Sequence, residues 1–116
     1  MKVYMKLFIV LSLVFSFNIF AGEWVTLEPQ NLADIEVAQA GALSFANEGV
    51  YFKRNPSFST TYTCAKKEFV VITDPKLADR ALSAVMFAMA SNKTIRFYVD
   101  GCNNDYLQGK MFMLLP

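Results

Sequence analysis

The two cysteines are the feature that most limits the folds open to this 116-residue chain. Cys64 and Cys102 are its only cysteines, and the segment between them contains the one clear helical pattern. In an exported protein such a pair normally forms a disulfide; two free thiols or a catalytic thiol are the alternatives. The chain has no histidine to activate a thiolate. We therefore predict a Cys64–Cys102 disulfide, which stabilises the fold by about 4 kcal/mol in the chain-entropy model.

The first 21 residues have the three parts of a secretory signal. Lys2 and Lys6 give a positive start, residues 7–20 are mostly apolar, and Ala21 is a small residue at the expected cleavage point. The alternative is an uncleaved anchor, but the apolar run is shorter than the roughly 20 residues that a span requires. We predict a signal peptide over 1–21 and a single domain over 22–116. The protein would then be secreted or periplasmic, with no membrane span after cleavage.

Charge and composition exclude several classes of function. The chain has 11 basic and 10 acidic residues, and two of the basic ones lie in the signal, so we expect no nucleic-acid partner. Without histidine there is neither a serine–histidine–acid triad nor a histidine metal site, and the cysteines lack zinc spacing. Carboxylate pairs such as Glu36 with Glu48 are too common in any chain to indicate a glycosidase. The sequence predicts a protein that is not an enzyme and that holds no metal or cofactor.

One helix is predicted over residues 75–91. Asp74 can accept backbone hydrogen bonds as the N-cap, and Pro75 suits the first helical position. Asn92 can adopt the left-handed conformation that ends a helix. The helix is apolar most of the way round, which indicates that it is covered on more than one side. Two interpretations stay open, namely burial between sheet and loops, or burial against a second copy in a homo-oligomer through helix 75–91.

Segments typical of strands flank this helix. The clearest is 94–102, in which apolar and polar residues alternate. Segment 32–45 is open between a helix and two strand pieces around Gly41. The other strand patterns are 50–53, 60–64, 69–72 and 110–115, and 66–68 is predicted to be a turn. The chain is thus mainly β with one helix. About five strands, with the helix between the third and the fourth, follow the order of an OB-fold, a small five-stranded barrel that binds oligosaccharides or oligonucleotides.

Aromatic residues supply the only candidate binding positions. Tyrosines combine an apolar ring with a polar tip, which suits them to binding surfaces. Alternation along 94–102 directs Tyr98 away from the core together with Arg96 and Asp100. We predict Tyr98 and Arg96 as ligand-binding residues. Ordinary cross-strand packing is the alternative. The other aromatic residues that could present such a surface are Trp24, Tyr51, Tyr62 and Tyr106.

About half of the domain resembles the receptor-binding B subunits of pentameric bacterial toxins, of the subtilase-cytotoxin and typhoid-toxin type. The resembling positions are Asn55-Pro56, Cys64, the strand 69–72, the helix stretch from Ala81-Leu82-Ser83-Ala84-Val85 to Ala90, and the run NKTIRFYVDGC over 92–102. The resemblance implies an OB-fold that binds host glycans and forms a ring of five with the helices around a central pore. It supplies no receptor-contacting residue by position.

Two functional hypotheses follow. The first is a secreted or periplasmic, non-enzymatic binding protein, a glycan-binding oligomer similar to a toxin B subunit. The second is an envelope protein that acts through a protein partner, as an inhibitor or an assembly factor.

Overall fold

The computed structural model describes residues 22–44 and 47–116, and the predicted signal peptide lies outside the described residues. Six strands and one α-helix account for most of the described chain. In chain order they are β1 (Glu23–Leu27), a 3₁₀ turn (Pro29–Asn31), β2 (Leu32–Ala38), β3 (Gly49–Arg54), β4 (Lys66–Ile72), α1 (Pro75–Ser91), β5 (Ile95–Asn103) and β6 (Tyr106–Leu114). The fold is therefore mainly β with one helix, as the sequence predicts.

The strands form one open sheet in the order β1-β5-β6-β4-β3-β2. All neighbours are antiparallel except β4 and β6, which run parallel because α1 and β5 lie between them in the chain. The two edge strands, β1 and β2, are consecutive in sequence and are joined through the short 3₁₀ turn. The expectation of five strands with the helix between the third and the fourth differs from this count. The structure has six strands, with α1 between β4 and β5.

The predicted strand 60–64 is wrong, because its threonines bind a carboxylate instead of a neighbouring strand. Glu23 of β1 accepts hydrogen bonds from the Thr61 amide at 2.9 Å, from the Thr61 hydroxyl at 2.8 Å and from the Thr60 hydroxyl. The segment therefore crosses the end of β1 in an irregular conformation. The next strand begins at Lys66, where the sequence predicts a turn. Of segment 32–45, the described residues 32–44 form strand β2 followed by a turn at Gly41, whose φ is +79°.

The helix begins and ends as its sequence predicts. The Asp74 carboxylate accepts a hydrogen bond from the Leu77 amide at 2.9 Å, and Asn92 lies in the left-handed region. Four small or branched residues, Ala78, Ala81, Val85 and Ala88, form its buried face. Their short side chains allow α1 to lie close to the sheet.

One face of the sheet packs against α1 and forms the main core. Phe52 of β3 and Phe97 of β5 stack with ring centroids 5.1 Å apart, and both are completely buried. Leu32 and Ile35 of β2 pack against this cluster while partly exposed. Buried side chains from the other strands complete it, and we call this side of the sheet the inner face: Val25, Leu27, Val50, Val70, Ile72, Ile95, Val99 and Leu107. Because successive side chains of a strand point to opposite faces, the residues between these positions lie on the outer face.

The two cysteines lie at disulfide distance. Their Cα atoms are 5.7 Å apart, within the usual range for a bridge. Cys64 is buried just before β4, and Cys102 is exposed near the end of β5. This pair connects the start of β4 to the turn between β5 and β6. The Lys66 amide adds a hydrogen bond to the Asp105 carbonyl of the same turn at 2.9 Å.

Candidate ligand-binding site

A concave pocket lies on the outer face of the sheet. Its volume is about 790 Å³, in the range of small-molecule sites. Strands β2, β3 and β4, the start of β6 and the segment after β2 supply its walls. The lining residues are Glu36, Val37, Ala38, Gln39, Ala42, Leu43, Tyr51, Lys66, Glu68, Phe69 and Tyr106.

Three aromatic rings form one wall of this pocket. Tyr51, Phe69 and Tyr106 contact each other edge to face, with ring centroids 4.9 Å apart for Tyr51–Tyr106, 5.3 Å for Phe69–Tyr106 and 6.4 Å for Tyr51–Phe69. Edge-to-face packing is the favoured arrangement for such rings. With Val71 they make a second, smaller buried cluster, separate from the core beneath α1. We call these three rings the aromatic triad.

Charged side chains surround the aromatic triad. The Lys66 ammonium lies 4.6 Å from the Tyr106 ring centroid and donates to the Tyr106 hydroxyl at 3.3 Å. The Lys53 ammonium lies 5.5 Å from the Phe69 centroid. Glu36 and Glu68 supply carboxylates to the pocket lining. The pocket therefore combines apolar ring surface with both signs of charge, which suits a polar ligand that also has an apolar face.

Tyr51 is the most deeply buried of the three rings. Only 3% of its surface is exposed, and its hydroxyl donates to the Asn47 carbonyl at 2.6 Å. Burial raises the pKa of its phenol, and the nearby Tyr106 and Glu36 raise it further, against the opposing effect of the bond to Asn47. The phenol is therefore neutral at physiological pH and keeps its proton on the bond to Asn47.

A chain of side-chain amides holds the loop between β2 and β3 against the β5–β6 turn. The Asn47 amide donates to the Asn103 side-chain oxygen at 2.7 Å, and the Asn103 amide donates to the Gln108 side-chain oxygen at 2.6 Å. The buried Gln108 amide in turn donates to the Gly109 carbonyl at 3.2 Å and to the Val71 carbonyl at 3.4 Å. We call Asn47, Asn103 and Gln108 the amide relay. It restrains Asn47, whose backbone carbonyl accepts the hydrogen bond from the Tyr51 hydroxyl.

The residues predicted to bind ligand lie elsewhere on the sheet. Tyr98 packs edge to face on Trp24 with centroids 5.4 Å apart, and the Arg96 guanidinium lies 5.5 Å from the Trp24 ring. Tyr98 pairs in register with Met111, and Arg96 with Met113; both methionines are exposed. The Tyr98 ring also lies where a Cβ at Gly22 would stand. The structure brings Tyr98 and Arg96 together, with Trp24, in a group that shares no residue with the pocket.

Sequence reasoning found part of the pocket. Tyr51 and Tyr106 stand among the aromatic residues that could present a binding surface. The sequence patterns instead predict that Phe69 lies in a buried strand and that Lys66 lies in a turn. The missed signal is the alternation of Val50 and Phe52 with Tyr51 and Lys53, which assigns a tyrosine and a lysine to one outer face.

No protein-family model, no curated protein and no solved structure matches the chain. Within residues 22–44 and 47–116, no helix has the length and apolar character needed to cross a membrane.

Proposed function

We propose that this protein is an exported, non-enzymatic OB-fold binding protein whose outer pocket takes a sugar ring of a glycan. The single observation that carries the proposal is the aromatic triad of Tyr51, Phe69 and Tyr106 in a pocket lined with charged groups. A sugar has polar edges and an apolar face of C–H groups. Ring surface with hydrogen-bonding tips matches both parts.

Strand order supports the OB-fold part of the proposal. The consecutive strands β1 and β2 occupy the two ends of the sheet and are joined by only a short 3₁₀ turn. If they are counted as the two halves of one bent strand, five strands remain and α1 follows the third. That is the OB order, with a gap between the two halves instead of full closure.

The position of the pocket supports the binding part. OB-folds bind oligosaccharides and oligonucleotides on the face of their second and third strands, between the loop after the first strand and the loop after the fourth. In this chain those elements are β3, β4, the loop containing Asn47 and the β5–β6 turn that follows Asn103. The pocket and the Asn47–Asn103 hydrogen bond lie there.

A glycan array probed with oxidised protein comprising residues 22–116 tests the proposal. We expect selective binding by the wild type and at least a tenfold loss in Tyr106→Leu, since stacking and hydroxyl contact are lost together. Tyr98→Leu is the matched control, because it removes a ring of the same kind from the other aromatic group and should bind like the wild type. Silence of the folded wild type on the array, or loss of binding only in Tyr98→Leu, would contradict the proposal.

A second candidate property is self-association through α1, as the resemblance to toxin B subunits implies. Its specific support is the exposure of two large apolar side chains in the second half of the helix, Met86 at 60% and Phe87 at 51%. Light scattering should then give a mass of several chains for the wild type and of one chain for Phe87→Glu. A wild-type mass of one chain excludes this property and leaves glycan binding in place.

The alternative function is an envelope protein with a protein partner. Exposed Val37 and Leu43 at the mouth of the pocket favour it, because apolar side chains at a rim can contact a protein surface. It predicts a monomer that captures one protein reproducibly in a pull-down and is silent on the glycan array. The alternative function would be excluded if the wild type binds the glycan array and Tyr106→Leu does not.

A further inference from the structure

Two tyrosines, Tyr51 and Tyr106, line the pocket, and their hydroxyls are in opposite hydrogen-bonding states. A phenol has one proton to donate and an oxygen that can accept. The Tyr51 hydroxyl donates its hydrogen bond to the Asn47 carbonyl at 2.6 Å, and a carbonyl can only accept. Any further partner of the Tyr51 oxygen must therefore bring a proton of its own.

The Tyr106 hydroxyl has the opposite role, because it accepts a hydrogen bond. Its oxygen accepts from the Lys66 ammonium at 3.3 Å, and an ammonium can only donate. Among residues 22–44 and 47–116, no side chain or carbonyl accepts the Tyr106 proton. The ring is 6% exposed. Its O–H thus still has a proton to donate, and the adjacent positive charge of Lys66 makes it a stronger donor.

We propose that Tyr51 and Tyr106 determine the specificity of the pocket, Tyr51 as an acceptor and Tyr106 as a donor, and that the group they recognise is an uncharged hydroxyl pair of a sugar. The proposal rests on the proposed function and names its ligand chemistry. Hydroxyls both donate and accept, so they satisfy both phenols. A carboxylate can only accept, so it offers no proton to the Tyr51 oxygen, whereas an ammonium can only donate, so it cannot accept the Tyr106 proton.

The amide relay supports the acceptor state of Tyr51. Asn103 holds the Asn47 side chain at 2.7 Å and is itself held by the buried Gln108. The relay therefore restrains the residue whose backbone carbonyl accepts from the Tyr51 hydroxyl. Asn103 acts through Asn47 and is a positioning residue. A site built to hydrogen-bond a hydroxyl rejects analogues that lack it far more strongly than an apolar site does, because its buried polar groups would stay unpaired.

The experiment measures dissociation constants by NMR titration with the methyl glycosides of galactose, glucose and mannose and with their monodeoxy analogues. For the glycoside that binds best, we expect one deoxy analogue to bind wild-type protein about tenfold more weakly. Tyr51→Phe should bind the parent glycoside about tenfold more weakly and should no longer distinguish it from that analogue. Tyr106→Phe should lose discrimination at a different ring position, and Tyr98→Phe should match the wild type.

Asn103→Ala separates positioning from direct contact. It keeps both phenols but frees the Asn47 carbonyl, so it should reduce the discrimination of Tyr51 while leaving that of Tyr106 intact. A wild type that binds none of the parent glycosides overturns the proposed function and this inference together. A wild type that binds a parent, with Tyr51→Phe and Tyr106→Phe discriminating as it does, overturns this inference alone.

Discussion

The two faces of strand β3 both carry buried aromatic side chains, but these side chains are covered by different parts of the molecule. Phe52 on the inner face is buried beneath α1 and stacks on Phe97, so its burial is what any small core requires. Its neighbour Tyr51 on the outer face is almost as buried, yet its cover consists of other aromatic rings and a loop. A polar ring that is buried away from the core, with a fixed hydroxyl, contributes little that a phenylalanine would not. The inner face therefore carries the main core, and the outer face carries the smaller aromatic cluster to which we assign the proposed binding site.

The strongest way to break this comparison is a pair of substitutions on adjacent residues of β3. Phe52→Ala should lower the free energy of unfolding by about 3–5 kcal/mol, since it leaves a cavity in the main core. Tyr51→Phe should lower it by only about 1 kcal/mol, the worth of one hydrogen bond. Urea denaturation of both variants measures the contrast. Equal losses would mean that Tyr51 is simply another core residue.

The cysteine pair, which connects the segment before β4 to the end of β5, gives the next largest effect. Replacing Cys64 and Cys102 together by alanine should cost about 2–5 kcal/mol, because the unfolded chain is no longer constrained. The pair also holds the start of β4 to the β5–β6 turn, where Lys66 and Tyr106 lie. Thermal melts of the double variant and of reduced wild type should agree. An unchanged melting curve under reduction would show that the pair is not bridged in solution.

The pH dependence of stability tests the hydrogen bonds of the Glu23 carboxylate at the start of β1. Burial pushes the pKa of its carboxyl upward, but hydrogen bonds from Thr60 and Thr61 outweigh that effect and leave the pKa below its ordinary value of 4.5. Its contribution to stability is therefore complete above pH 4.5 and is lost as the pH falls through the lowered native value. Glu23→Gln should cost about 1 kcal/mol at neutral pH. The difference from wild type should vanish in acid; a difference that persists there would contradict this assignment.

The smallest effect concerns the second aromatic group of the outer face. Tyr98→Phe removes a half-buried hydroxyl from the group with Trp24 and Arg96, and should change the free energy of unfolding by less than about 0.5 kcal/mol. Glycan binding should also stay unchanged if the aromatic triad is the site. Loss of binding in this variant would restore Tyr98 and Arg96 as the ligand-binding residues.

Local signals in the sequence predict much of the fold. Asp74, Pro75 and Asn92 specify both ends of α1 through short-range contacts, and the alternation in 94–102 predicts β5 to within a residue at each end. The prediction fails at 60–64, where the Thr and Tyr pattern is typical of a strand. Two threonines there bind Glu23, which lies 37 positions or more away. No local pattern contains that contact.

The candidate site is less accessible to sequence reasoning, because it is assembled from residues that are distant in the chain. Tyr51 and Tyr106 meet only because β4 lies between β3 and β6 in the sheet. Their opposite hydrogen-bonding states depend on a loop carbonyl and on a lysine predicted to lie in a turn. Composition indicates that tyrosines are available for binding, and only the sheet order selects the pair.

The most direct test of the account is a map of amide chemical-shift changes in ¹⁵N-labelled protein titrated with methyl galactoside, methyl glucoside and methyl mannoside. If the outer pocket binds sugar, the largest shifts fall in the Asn47 loop, around Lys66 and Phe69, and from Asn103 to Gln108. Shifts that cluster instead at Trp24, Arg96 and Tyr98, or the absence of shifts with all three glycosides, would contradict it.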